Sequence, residues 1–390
     1  MTMAEAHRSQ ADMSGRADSV ARRAAARPTS GTGAREGKVG RKPAWLKVRT
    51  PAAGAFRATA GVLADLRLHT VCDEARCPNR GECFSAGTAT FLILGDVCTR
   101  HCRFCAVGHA PGRGEDKVLE DGAGAVRLRR QKMGEAADAA TGLGAPDADE
   151  PARVAAAAER LGLRHVVVTS VTRDDLEDGG AAHFAATIAA LRAALPQATV
   201  EVLVPDFGGD QGALDCVLAA RPDVLNHNLE TVPRLYSTAR PEADYERSLE
   251  LLRRAAAAQP RPLVKTGLMV GLGETAPEVS SVLRDAAAVG VDVVTVGQYL
   301  RPREGCLPVA RYVTPAEFVA LEGGGREIGL RVVAGPFVRS SYHAADVVAG
   351  RPAAQLSAGR PGTQVVAGRP AHVAGACGAA EVRVDGRPSP

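Results

Sequence analysis

Thr88-Ala-Thr-Phe-Leu-Ile-Leu-Gly-Asp-Val-Cys-Thr-Arg-His-Cys-Arg-Phe-Cys105 is the stretch whose reading decides the fold. Its first half, 88–94, is β-branched and apolar, bounded by Gly87 and Gly95, and reads as a buried strand. Its second half places Cys98, Cys102 and Cys105 on the loop leaving that strand. A second triplet, Cys72, Cys77 and Cys83, precedes the strand, so six of the nine cysteines flank one element.

Upstream, the apolar positions of 56–66 fall at helical spacing and predict a helix that delivers the first triplet. Downstream, 112–146 is rich in Gly, Ala and charge without a steady period and reads as an inserted surface loop. From Pro151 the chain alternates. Helices are expected over 153–161, 183–195, 211–220, 245–257 and 277–289, and apolar strands over 165–170, 199–204, 223–228, 263–270 and 292–298. With the strand at 88–94 that makes six strands joined by crossover helices, which predicts a parallel α/β fold, a partial (β/α)6 barrel. Polar residues gather at the C-terminal ends of these strands: Thr169 and Ser170, Asp206, Asn226, Asn228 with Glu230, the Gly271 to Glu274 loop, and Gln298. That is the face on which βα barrels carry their sites, and the second triplet emerges there too.

The expected organisation is an arm over 1–41, an extension carrying the first triplet over 42–87 and the barrel over 88–300. A C-terminal segment follows over 301–349, then a low-complexity tail over 350–390 that repeats Ala-Gly-Arg-Pro. In the C-terminal segment Thr314, Pro315 and Glu317 mark a helix start, which Gly323-Gly-Gly325 is expected to interrupt. A short strand is expected over 331–334.

A formal charge of +4 is too small to argue for a nucleic-acid partner, and no run of about 18 apolar residues argues for a membrane span. Thiolates in threes at short spacing serve metal better than cross-linking, so a reducing compartment is expected, the cytoplasm in the first instance. The first 40 residues lack an apolar secretory core. They read as a disordered arm or as a mitochondrial or plastid presequence, the latter opposed by Glu5, Asp12, Asp18 and Glu36.

Three thiolates bind three corners of a four-iron cubane and leave the fourth iron open to a small chelating molecule. The alternative is zinc, which takes four ligands, often as two Cys-x2-Cys pairs; only one such pair exists here, although His69 or His101 would complete mixed sites. The spacing favours iron–sulfur, and the barrel context adds to it.

Cys98-x3-Cys102-x2-Cys105 after the first strand of a βα barrel resembles the radical S-adenosylmethionine superfamily. The first triplet narrows this, together with Thr169-Ser-Val-Thr-Arg-Asp-Asp-Leu176, Asn226-His-Asn-Leu-Glu-Thr231, Gly267-Leu-Met-Val-Gly-Leu-Gly-Glu274 and Arg339-Ser-Ser-Tyr342. From residue 42 to 344 the chain resembles the lipoyl synthase family. The resemblance implies two [4Fe-4S] clusters. Cys98, Cys102 and Cys105 would hold the one that binds S-adenosylmethionine and cleaves it to the 5′-deoxyadenosyl radical. Cys72, Cys77 and Cys83 would hold an auxiliary cluster, capped by Ser341, that serves as sulfur source. The implied reaction inserts two sulfurs, at carbons 6 and 8 of an octanoyl chain on a carrier-domain lysine. Implied partners are the octanoylated lipoyl domains of 2-oxoacid dehydrogenase E2 subunits, the glycine cleavage H protein, and a low-potential electron donor. For S-adenosylmethionine itself, Thr169, Ser170, Asn228 and Glu230 supply hydroxyl, amide and carboxylate groups suited to an amine and ribose hydroxyls. Turn closure is the alternative role for these four. At the level of function the alternatives are another radical enzyme such as a methylthiotransferase, or an iron–sulfur or zinc module without catalysis. Departing from the family pattern are the insert, the glycine triplet and the spare thiols of Cys216, Cys306 and Cys377.

Overall fold

The computed structural model describes residues 41–47, 53–110 and 143–350. The expected arm, insert and tail fall outside the described residues except at their margins, and Cys377 lies outside with the tail.

In chain order the strands are β1 (His69–Thr70), β2 (Thr90–Ile93), β3 (Val97–Cys98), β4 (Gly108–His109), β5 (His165–Ser170), β6 (Thr199–Leu203), β7 (Val224–Asn226), β8 (Leu263–Val270), β9 (Val293–Gln298) and β10 (Arg331–Gly335). The helices are α1 (Ala53–Asp65), α2 (Val71–Glu74), α3 (Arg80–Ser85), α4 (Glu150–Arg160), α5 (Ala181–Ala194), α6 (Gln211–Ala219), α7 (Tyr236–Ala239), α8 (Tyr245–Ala257), α9 (Ala276–Ala288), α10 (Pro315–Glu327) and α11 (Ala344–Val348). No described helix is long and apolar enough to cross a membrane.

One sheet runs β1-β2-β5-β6-β7-β8-β9-β10, and a small parallel pair joins β3 to β4. Every neighbour in the large sheet is parallel except β1, which pairs antiparallel with β2. The parallel strands follow chain order without reversal. A doubly wound sheet would reverse at a switch point, so this order is that of a partial barrel. The strands read apolar on both faces because both are covered: β2 and β9 are buried at every position. The helices pack one stripe inward, as in α8, where Leu249, Leu252 and Ala255 are buried, and they start at capped ends. Asp210 and Asp244 accept backbone N–H groups at α6 and α8, and Thr275–Glu278 and Thr314–Glu317 form capping boxes at α9 and α10.

Two features differ from expectation. The strand expected over 331–334 joins the barrel sheet as β10, parallel to β9, so the parallel series runs to seven strands. And α10 is continuous through Gly323, Gly324 and Gly325. A side-chain carbon on Gly325 would collide with Val332 and sit 2.9 Å from the Leu330 carbonyl oxygen, so the helix needs glycine to lie this close to β10. Packing of that face, anchored by buried Phe318, outweighs the helix propensity that the glycines forfeit.

At the opposite end of the strands from the polar face, Lys265 Nζ donates to Glu201 Oε1 at 2.8 Å across the intervening β7, both side chains fully buried. His165 Nε2 meets the other carboxylate oxygen at 3.0 Å. Burial opposes the Glu201 charge, yet Lys265 and His165 hold its carboxyl below the usual range. Lys265→Met leaves Glu201 buried without its cation and should cost about 3–5 kcal/mol in urea unfolding, whereas Lys265→Met with Glu201→Leu should recover most of the loss. A single variant as stable as the parent would contradict this account.

Candidate active site

The loop from Cys98 to Cys105 is fixed by its backbone and by one buried arginine. Thr99 N–H donates to the Thr172 carbonyl after β5 at 3.0 Å, Arg103 N–H to Ala239 at the end of α7 at 2.8 Å, and Leu307 N–H to the Arg103 carbonyl at 2.8 Å. Arg100, between two of the cysteines, grips Asp174 with Nε and Nη2, each at 2.8 Å, and reaches Asp206 Oδ1 at 2.5 Å. Burial works against the Asp206 charge, but the Arg100 hydrogen bond and charge hold its pKa down to about 2. One planar fork thus joins the cysteine loop to the turns after β5 and β6.

The sulfurs sit where thiolate ligands would be supported. The backbone N–H groups of Thr172 and Arg100 point at Cys98 Sγ, at 3.3 and 3.5 Å. Burial pushes the Cys102 thiol up to about 12 and the Cys105 thiol to about 11. Such thiols stay protonated alone and give up the proton to a metal. Among the described residues, neither triplet brings its three sulfurs within 4.8 Å of one another. Three thiolates on one zinc ion, at about 2.3 Å from it, would be about 3.8 Å apart, closer than the three sulfurs of either triplet all lie. His101 is committed at both ring nitrogens, to Glu242 and the Ala110 carbonyl, which removes it from a mixed zinc site, while His69 lies with Glu74 and Asp96 and not with either cysteine triplet.

A cavity of about 550 Å³ opens beside this loop. Cys98, Cys102 and Cys105 line it, with Cys77 of the first triplet and Ser341 of the C-terminal segment. Its strand-end wall carries Thr169, Ser170, His227, Asn228, Glu230 and Arg240. Three buried polar atoms on this wall have no partner: Ser170 Oγ, His227 Nε2 and Arg240 Nε. Orphaned groups converging on one cavity are what a polar cofactor would satisfy. Burial drops the His227 pKa to about 4, so the imidazole presents as neutral, and burial raises that of Glu230. Of the four residues expected to contact a cofactor, Ser170, Asn228 and Glu230 face the cavity with capacity to spare, whereas the Thr169 hydroxyl already donates to the Leu203 carbonyl at 2.9 Å.

The first triplet is spread over three pieces: Cys72 on α2, Cys77 on the turn that follows, and Cys83 on α3. Thr70 caps α2 by accepting from Asp73 N–H. Cys72 is buried, its thiol pushed up to about 12 by burial. The C-terminal segment is tied to these pieces on both sides of Ser341. Asn79 Nδ2 donates to the Phe337 carbonyl at 2.7 Å, and the Tyr342 hydroxyl donates to Glu82 Oε1 at 2.7 Å. Residues 258 and more apart in sequence are so held together.

Some expected site residues take other work. Gln298 closes the loop to Arg311 and Val313, and Glu274 accepts from the N–H groups of Gly271 and Leu272, so both brace turns. Asp175 pairs with Arg173, and Cys306 donates to the Cys105 carbonyl. Cys216 lies on α6 as expected, half-buried. Sequence reasoning missed Arg100, His227 and Arg240. Arg100 lies inside the cysteine motif and His227 inside Asn226-His-Asn228, which are the only local signals; Arg240 offers none.

Residues 92–286 match the family model of the radical S-adenosylmethionine (SAM) superfamily, and residues 17–77 match that of the N-terminal domain of lipoyl synthase. A lipoyl synthase from Nitratidesulfovibrio vulgaris (strain DP4) is 53% identical over 305 residues, covering 78% of this chain and 91% of that one. Another from Rubrobacter xylanophilus is 50% identical over 304 residues, covering 78% and 85%. Among solved structures, HydG, a maturase of the [FeFe]-hydrogenase, aligns with a TM-score of 0.43 at 12% identity, over 72% of this chain and 63% of that one.

Arg100→Gln should lower stability by about 3 kcal/mol, because Asp206 stays buried with only the Arg247 contact at 3.3 Å and the Gly208 N–H at 3.1 Å to offset its charge. Iron taken up on reconstitution should fall with it. Calorimetry and iron analysis check this; an unchanged melting temperature and iron content would show that the fork does not hold the loop.

Proposed function

The chain belongs to the lipoyl synthase family of radical SAM enzymes, and from that premise we propose how its residues divide the work. Cys98, Cys102 and Cys105 hold a [4Fe-4S] cluster with its fourth iron open to S-adenosylmethionine. Cys72, Cys77, Cys83 and Ser341 hold a second. When bound, the first cluster supplies the electron that cleaves S-adenosylmethionine and the second supplies sulfur. The observation that carries this division is the shared cavity: the whole second triplet, Cys77 and Ser341 line one space of about 550 Å³. A reactive carbon radical must meet its sulfur before it meets solvent, and a common cavity brings the two close together.

The chain's own groups have definite tasks in this reading. Ser170, Asn228 and Glu230 take the amine, carboxylate or ribose hydroxyls of the cofactor. Neutral His227 and the free Nε–H of Arg240 add a donor or acceptor from the same wall. Ser341 would hold the fourth corner of the second cluster through its hydroxyl oxygen, a harder ligand to iron than thiolate. Phe104, between two cysteines and on the cavity wall, keeps water from the first cluster. The substrate is an octanoyl chain on a carrier-domain lysine, the long side chain reaching in while the carrier stays outside. The carriers are the lipoyl domains of 2-oxoacid dehydrogenases or the glycine cleavage H protein, with a low-potential protein as electron donor. Bacterial relatives support a cytoplasmic place.

Anaerobic reconstitution should give about eight irons per chain. Cys102→Ala should abolish formation of 5′-deoxyadenosine, while Cys77→Ala should retain it and yield no two-sulfur mass gain on an octanoyl-lysine peptide. If both variants behaved alike, the division would be wrong.

A further inference from the structure

The segment that carries Ser341 enters the cavity through two notches left by glycine. A side-chain carbon on Gly297 would collide with the Val338 carbonyl oxygen and lie 2.8 Å from Arg339 Nη1. One on Gly267 would lie 2.5 Å from Ser340 Oγ, 2.6 Å from Asn228 Oδ1 and 3.1 Å from Thr295 Oγ1. The notches sit two residues apart in register, with Gly267 opposite Thr295 and Met269 opposite Gly297.

A continuous hydrogen-bonded chain fills the Gly267 notch. Ser340 Oγ donates to Asn228 Oδ1 at 2.7 Å, and Asn228 Nδ2 donates to Glu230 Oε1 at 3.0 Å. Asn228 turns its NH2 toward Glu230, and the amide oxygen left behind takes the proton of the Ser340 hydroxyl. Glu230 is pinned independently by its backbone, donating to the Gly267 carbonyl at 2.9 Å and accepting from Met269 N–H at 2.8 Å. Its φ of +65° lies in the left-handed region, which a glutamate enters only when its surroundings hold it there. Ser340, Asn228, Glu230 and Gly267 all line the cavity.

We propose that Ser340 is a positioning residue that couples seating of the Ser341 segment to cofactor binding at Asn228 and Glu230. This rests on the functional reading above. Without the hydroxyl, Asn228 Oδ1 loses its donor, the amide is free to turn, and Glu230 loses the N–H that orients it. Coupling of this kind is reciprocal: a ligand that engages Asn228 and Glu230 tightens Ser340, and through it the adjacent Ser341.

The test uses the full chain with both clusters reconstituted. In the parent, S-adenosylmethionine should slow hydrogen–deuterium exchange across 336–342. Ser340→Ala should bind the cofactor about five- to tenfold more weakly in equilibrium dialysis, as expected for one lost hydrogen bond. It should lose the ligand-dependent protection and keep the parent's iron content. Gly267→Ala, which fills the notch, should reproduce both losses. Ser340→Ala with parental affinity and protection overturns the proposal alone, and so does an affinity loss accompanied by iron loss, which marks a merely structural role. A parent protein that binds no S-adenosylmethionine overturns the functional reading as well.

Discussion

A guanidinium in a protein interior must be paired, and Arg100 is paired with carboxylates from two different strand ends. Much of the site depends on that constraint. Because Asp174 follows β5 and Asp206 follows β6, a single side chain sets the height and tilt of the cysteine loop against the barrel mouth. Asp206 is itself shared with Arg247 of α8, so the fork reaches into the helical layer.

The second support is the C-terminal segment. It is distant in sequence, yet Asn79 and Glu82 from the first cysteine region grip it, and two glycine notches on β8 and β9 admit it. The barrel wall, the cavity-lining pair Asn228–Glu230 and the segment that carries Ser341 therefore meet within a few hydrogen bonds. Stability is carried elsewhere, at the other ends of the strands, by the apolar layers and the buried Lys265–Glu201–His165 chain. Separating the two leaves the mouth free to hold orphaned polar atoms that would be a liability in a core.

Much of this was legible in the sequence, and the reason is periodicity. Parallel strands covered on both faces read as unbroken apolar runs, so β5, β6, β8 and β9 stand out, as do the capping residues of α9 and α10. The seventh parallel strand was visible as a strand, but its pairing was not, because nothing local distinguishes an edge of the barrel from a separate hairpin. The glycines of α10 misled because helix propensity is local while the contact of Gly325 with Val332 is tertiary. The cysteine triplets stood out by spacing alone, and Cys77, Cys98, Cys102 and Cys105 come together on one cavity. Arg100 and Arg240 were not, since a buried and a solvated arginine are written the same way. Nor does sequence show that Gln298 and Glu274 spend their polar groups on neighbouring backbone.

The central claim is that the first triplet holds sulfur which leaves the protein for the substrate. It is tested most directly by rebuilding the clusters with heavy-isotope sulfide and iron. One turnover is then run on an octanoyl-lysine peptide with unlabelled sulfide in the solution, and the product is weighed by mass spectrometry. This account predicts that both inserted sulfurs carry the heavy label. A product containing only light sulfur would mean that the sulfur comes from solution, and that Cys72, Cys77, Cys83 and Ser341 hold a group with some other purpose.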